Sequence, residues 1–469
     1  MIQWPVNRHR AVVDYANEWT GMSNSTRPIW QPFVQLSLAF ALSGGFLVGG
    51  ALFAARSLGV PAGSWWTSAG QAHGHIQLFG WAGLMVFGVG FHFLPRLRGV
   101  SLASPHLTRP VLALLAIGLL LRVLIQPALA TGTDGPLTGI LAIALVLSGL
   151  FELAGATLAI AILVRTLRQR AVQKKRIDQG PVFAFFLVAF ISFWLALAAN
   201  AVGLLFAVRG ATGTVSSGMD SLTVALALYG FLIPVAVAMS SRTFPLYFQT
   251  FQPRNRLLVA GLAVLMIGLG LRLAGDLTDA SLAGGIGRVA LAGAIILFCV
   301  GLGIFGKRRQ LPRKTVQPLA DPLQLHAITA YGWLAIAAVV LVLEGLGMLG
   351  LLAPALTPDA ERHAIGAGFV TILILGVGAH LLPGFARLPL RSQRLTWGTL
   401  VLGNLAALLR VAPVLFASHG FGRLPEAVLA GAGLAGVIAI ALFAVNIHGA
   451  RTRPEPTARN SSPAKSSPA

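Results

Sequence analysis

At 469 residues the chain is long enough for two or three soluble domains, but 56% of it is hydrophobic and only 10% charged, a balance that does not describe a water-facing surface. The formal net charge of +21 points toward nucleic acid until the basic residues are located: 27 of the 35 Lys and Arg fall in the N-terminal segment, the C-terminal tail and the even-numbered loops between apolar runs or the run ends beside those loops. A membrane protein with a basic inner side accounts for both figures, which excludes nucleic-acid binding as the reason for the charge.

The N-terminal segment, residues 1–32, carries Arg8, Arg10, Asp14 and Glu18 and no early apolar stretch, so no cleavable leader is expected. Twelve apolar runs follow, near 33–55, 73–95, 107–127, 138–164, 181–208, 220–247, 257–277, 283–305, 325–350, 362–385, 395–417 and 425–447. Each is close to the ~20 residues that cross a bilayer. The first run holds no charge in its interior. The second carries His73, His75 and His92 and ends at Pro95; the third ends at Arg122; the fourth holds Glu152 near its middle and the fifth Asn200. In the sixth are Ala225, Arg242 and Pro245, and in the seventh Arg272. The eighth contains Cys299, the single cysteine, which excludes an intramolecular disulfide and any CxxC site. His326 and Glu344 lie in the ninth run, His363, His380 and Pro383 in the tenth, Asn404 and Arg410 in the eleventh. The tail, residues 451–469, is rich in Ser, Pro and Arg and is expected to be disordered. The expectation is an all-α integral membrane protein with both termini cytoplasmic, in a bacterial inner membrane, its basic loops at 165–176 and 307–314 facing anionic lipid.

The stretch GVGFHFLPRL at 88–97 returns as GVGAHLLPGF at 376–385, and a third copy, AMSSRTFPLY, lies at 238–247. Pro95, Pro245 and Pro383 align, and each is followed 27 residues later by an arginine: Arg122, Arg272 and Arg410. Periodicity on this scale signals architecture. The unit is four spans, at 33–164, 181–305 and 325–447, and three pseudo-symmetric four-helix repeats are expected. Histidines occupy only the outer units; the middle one has Ala225 and Arg242 in their places.

Common descent explains the prolines and arginines but not those histidines. Helices two and ten run from outside to inside, which sets His75 and His363 near the outer face and His92 and His380 about 25 Å deeper at 1.5 Å per residue. Two imidazoles facing each other at one level suit a six-coordinate haem, and an ionisable residue within a membrane is a functional hypothesis because burying it is costly. Arg122 and Arg410 end the neighbouring spans on the same side, in reach of haem propionates; as surface residues they would instead snorkel to headgroups. The 17-residue spacing turns His92 roughly 100° away from His75, so two haems stacked on one face are disfavoured. His326 joins His92 and His380 at the inner side as a candidate third nitrogen for copper, with His73 as a further candidate metal ligand or proton carrier. Histidines at helix ends are also common as plain interfacial residues. Glu152 would be protonated or paired, while Asn200 and Asn404 fit hydrogen bonds between helices.

At HGHIQLFGWAGLMVFGVGFHFLP the sequence resembles the NnrS family of haem- and copper-containing membrane proteins associated with nitric oxide stress, through His73 and His75, with Ile76 where that family has an acid. SSRTFPLYF, through Arg242 and Pro245, and ERHAIGAGFVTILILG, through His363 and Gly366, are similar to its later motifs. The chain also resembles the catalytic subunit of haem-copper oxidases and nitric oxide reductases, in which twelve helices form three arcs and a haem sits between histidines of helices two and ten. Spans six to eight contain no histidine, so the copper trio of that family is missing. The resemblance implies a b-type haem held by His75 and His363, copper among His73, His92, His326 and His380, nitric oxide as ligand and a quinone or protein as electron donor. No turnover reaction follows from the residues; any enzyme activity would be that of a membrane oxidoreductase. The alternatives are a multipass transporter or channel with a His/Glu path, and an electron-transfer subunit that shares the haem without nitric oxide chemistry.

Overall fold

The computed structural model describes residues 28–132, 135–169, 181–310, 320–353, 358–386, 388–415 and 424–448. Among them are twelve helices long and apolar enough to cross a membrane: α1 (Trp30–Ser57), α2 (Ser64–Arg98), α3 (Pro105–Ala130), α4 (Pro136–Arg168), α5 (Val182–Arg209), α6 (Ser217–Tyr247), α7 (Asn255–Thr278), α8 (Ser281–Leu302), α9 (Pro322–Met348), α10 (Asp359–Ala386), α11 (Gln393–Leu415) and α12 (Pro425–His448). No strand occurs among the described residues. Helix is the form these runs must take, because in lipid every backbone N–H and C=O has to be satisfied within its own segment. The N-terminal residues up to 27, the basic stretch beyond 169 and the tail from 449 lie outside the described residues.

Local signals set the ends. Asp321 caps α9, its side chain accepting the Leu323 N–H with Pro322 in the first turn. Pro95, Pro245 and Pro383 fall inside the last turns of α2, α6 and α10. Each proline therefore has less than a turn of helix beyond it to disrupt, although it leaves the carbonyl four residues back without a backbone donor.

α2, α6 and α10 are the most buried of the twelve. Each contains a wide π-helical stretch, Ile76–Gly83, Leu226–Leu232 and Ala364–Thr371, and the three stretches pack against one another. They begin one residue after His75, Ala225 and His363, the positions that the prolines align. A side chain at this register is thereby swung around its helix relative to an unbroken α-helical course. Trp81 and Thr371 join α2 to α10 here, the indole Nε1 donating to the hydroxyl at 3.2 Å, and Ser37 of α1 donates to the Trp81 carbonyl at 2.7 Å.

Around this centre the neighbours recur with a shift of four helices. α3 pairs with α4, α7 with α8 and α11 with α12; α4 packs on α5, α8 on α9, and α12 on α1. The last contact closes the ring between the first and final helices. It depends on Gly50 and Gly433, whose backbones meet directly: a Cβ on Gly433 would strike the Gly50 backbone and the Phe46 carbonyl. Close backbone approach of this kind is how small residues hold membrane helices together.

One helix departs from hydropathy. The second apolar run begins at 73, yet α2 starts at Ser64. Its first turns, SWWTSAGQ, are polar but satisfied inwardly: Ser64 donates to the Ala130 carbonyl, Ser68 to that of Gly213 and Gln71 to that of Val215. The extension sinks His75 eleven residues into the helix, roughly 16 Å from its start, rather than at the rim where the sequence places it.

Gly433→Val is expected to part α1 from α12 at a cost of about 1–3 kcal/mol or more, as overpacking does. The test is a fall in melting temperature by detergent-based differential scanning fluorimetry, with Gly431→Val as control, since a Cβ on Gly431 meets only the tip of the Leu409 side chain.

Candidate functional site

His73, His75, Arg122, His363 and Arg410 line one cavity of about 670 Å³. They come from α2, α3, α10 and α11, on the end of the bundle where α1 turns into α2 and α3 into α4. Aromatic and aliphatic side chains make most of the wall, among them Phe53, Trp66, Phe79, Trp81 and Leu228. The volume lies within the ~300–1,000 Å³ typical of small-molecule and cofactor sites.

The three cavity histidines are held in different ways. Nδ1 of His363 faces the Asp359 carbonyl at 2.9 Å and its carboxylate at 3.2 Å. Nδ1 of His73 faces the Gly45 carbonyl at 2.9 Å. A carbonyl only accepts, so in both rings Nδ1 carries the proton and a neutral ring presents its lone pair at Nε2. In His75 the opposite nitrogen is engaged: Nε2 lies 2.6 Å from Oε2 of Glu152, with both side chains buried. Glu152 reaches His75 from α4 across α3, passing over Gly118, where a Cβ would sit 2.5 Å from its Cγ. The mid-membrane acid of the sequence is thus paired, and its partner is one of the candidate ligands.

The three aligned arginines have three different surroundings. Two nitrogens of Arg410 meet the two carboxylate oxygens of Asp359 at 2.7 and 2.9 Å, and the guanidinium stacks 4.9 Å from the Phe53 ring. Arg410, Asp359 and His363 form one chain in which the acid orients the imidazole, as second-shell carboxylates do. Arg272 does not line the cavity; it pairs with buried Glu361 at 2.7 Å in a cluster with Asp276, Arg288 and Glu344. Arg122 is buried in the cavity wall, and its Nε and Nη1 have no hydrogen-bond partner among the described residues.

Other cavity donors share that condition: Nδ2 of buried Asn200, Nε1 of Trp66 and Nε of Arg362 are unpartnered, and Gln77 Oε1 is the one fully buried side-chain oxygen of the described lining residues without a partner. Leaving such groups unmatched costs about 1–3 kcal/mol each. An apolar chamber with an excess of open donors suits a largely apolar ligand that carries acid groups.

The inner histidines do not gather. His92 stacks on Phe385 with ring centroids 4.0 Å apart, and His380 on Tyr247 at 4.0 Å. His326 has both nitrogens committed, Nδ1 to the Pro322 carbonyl at 2.6 Å and Nε2 to the Thr399 hydroxyl at 3.3 Å. Among the described residues no three His, Cys, Asp or Glu side chains stand close enough to hold a metal ion, so the copper set of His73, His92, His326 and His380 is not assembled.

Asn200 was read as an interhelical hydrogen bond and proves to be an open donor of the cavity. Trp66, Asp220, Asp359 and Arg362 also belong to the cavity wall and carried no signal as wall residues, although Asp359 stands four residues before His363, one helical turn away.

Truncating one partner of a buried ion pair costs about 3–5 kcal/mol, whereas replacing both by apolar groups is far milder. Glu361→Ala should therefore destabilise the protein strongly, and Arg272→Leu with Glu361→Leu should recover most of the loss, a coupling readable in a double-mutant cycle of thermal unfolding. Compared with protein-family models and with curated proteins, the chain matches none.

Proposed function

We propose that the protein is a membrane haem protein and that the cavity is its haem site, where His363 and a histidine of α2 would hold the iron and Arg122 would pair with an acidic side group. One observation carries this reading: histidines nearly 300 residues apart, with two of the aligned arginines, line a single chamber of about 670 Å³. The residues fit such a group. Nε2 of His363 is open, the walls are apolar and aromatic, and Arg122 and Asn200 offer buried unpartnered donors where a carboxylate would need them. Bound there, a haem would supply one-electron redox chemistry and, in its reduced form, affinity for small diatomic ligands.

The surrounding scaffold supports the same reading. The register shared by the three π-helical stretches and the four-helix shift in neighbours are what three related arcs would produce. The resemblance to NnrS proteins extends the proposal to nitric oxide metabolism or protection from nitrosative stress, with electrons from a quinone or a protein donor. The charge distribution supports cytoplasmic termini in a bacterial inner membrane; on that reading the chamber lies in the outer half.

The test is a reduced-minus-oxidised absorption spectrum of protein purified from haem-replete cells, with pyridine haemochrome quantification. One b-type haem per chain is expected, with less than half of it retained in Arg122→Leu, and exposure of the reduced protein to nitric oxide should shift its spectrum. Absence of haem from the wild-type protein would sink this reading and leave transport through the chamber as the better one.

A further inference from the structure

We infer that the α2 ligand of the cavity is His73 rather than His75; the inference rests on the haem reading above and assigns its second axial position.

The argument begins with which nitrogen each ring leaves free. An iron at the centre of a flat macrocycle is best met by Nε2, because Nδ1 adjoins the ring carbon that bears Cβ and brings the residue's own backbone against the plane. In His75 that nitrogen is turned into the protein, 2.6 Å from Glu152. Freeing it would take from a carboxyl with no exposed surface its hydrogen-bond partner, leaving it only the nearby charge of Arg122, a costly exchange in an apolar bundle. In His73 the reverse holds. Nδ1–H is committed to the Gly45 carbonyl, and the ring's hydrogen-bond partners among the described residues are all backbone groups of α1, at Gly44 and Gly45, with no carboxylate among them.

α1 is shaped to hold His73 in that state. Within its π-helical stretch Ala41–Leu47 the backbone leaves the helical region at Gly45 (φ −81°, ψ −110°), and the Gly45 carbonyl meets His73 Nδ1 there. One turn on, Gly49 clears the ring: a Cβ at that position would lie 2.6 Å from Cε1 of His73. A helix distorted at one residue and stripped of its side chain at another thus fixes both the tautomer and the tilt of this imidazole. The same second-shell pattern, Nδ1 on a carbonyl and Nε2 open, is found at His363, and both rings line the chamber. His363 and Arg410 lie within electrostatic reach of His73. His75 has none of this support and is held by Glu152 and by Phe79, whose ring lies 4.5 Å away.

The experiment compares full-length wild type with His73→Ala, His75→Ala and Gly49→Ala, each purified from haem-replete cells and examined by haemochrome content and low-temperature EPR. The wild type is expected to show a low-spin bis-histidine signal. His73→Ala should lose haem or become high-spin, with low-spin character restored by added imidazole, and His75→Ala should keep the low-spin signal. Gly49→Ala, which crowds His73 while leaving every histidine in place, should shift that signal; this arm serves if His73→Ala does not fold. A low-spin signal that survives His73→Ala and is lost in His75→Ala overturns the inference and leaves the haem reading standing, as does an unshifted signal in Gly49→Ala. No haem in the wild type overturns the reading beneath it.

Discussion

Inside a bundle that faces lipid, a polar side chain has no water to fall back on, and the arrangement of this protein follows from where its buried polar groups are satisfied. Twelve apolar helices alone would pack in many ways. What fixes this one is a set of bonds that cross between helices far apart in sequence: Trp81 on Thr371, Glu152 on His75, Glu361 on Arg272, Asp359 on Arg410. Each is expensive to break because the released partner stays buried. Together they hold α2, α6 and α10 at the centre and the arginine-bearing helices around them.

The same accounting separates structural polar groups from those left for a ligand. Arg272 and Arg410 are neutralised by carboxylates of α10, and the inner histidines are stacked on aromatic rings or tied to carbonyls. Arg122, Asn200, Trp66 and Arg362 keep open donors, and these, with the Nε2 atoms of His73 and His363, share one chamber. Satisfied groups build the fold; unsatisfied ones, gathered in a cavity, mark where something else belongs.

Much of the architecture was legible in the sequence because hydropathy and length are sums over many residues. All twelve spans were expected, and the aligned prolines do lie in the last turns of their helices. The shared register of His75 and His363, and of Arg122 and Arg410, was legible for another reason, the repeated spacing across nearly 300 residues; that these side chains line one cavity was not, because spacing does not say which helices are neighbours. The failures are local. Nothing in a run of letters shows that SWWTSAGQ is satisfied by carbonyls of the α3 end and the segment before α6, so the start of α2 was set nine residues late and its histidines too near the rim. The choice of ring nitrogen is likewise invisible in sequence, because it depends on a Glu152 that arrives over Gly118 and on a Gly45 carbonyl presented by a distorted turn. The inner histidines are grouped by shared depth, but depth does not specify azimuth, and the structure faces His92 and His380 toward aromatic rings and ties His326 to a carbonyl and a hydroxyl.

The contact between α1 and α12 gives the protein an order of assembly. A chain made from its N-terminus inserts α12 last, and Leu429, Ala432 and Gly433 of that helix form part of the chamber wall. Until the final helix enters, one flank of the chamber is open to the bilayer, while the histidines on α2 and α10 have already been made. Gly433 settling against Gly50 closes that flank.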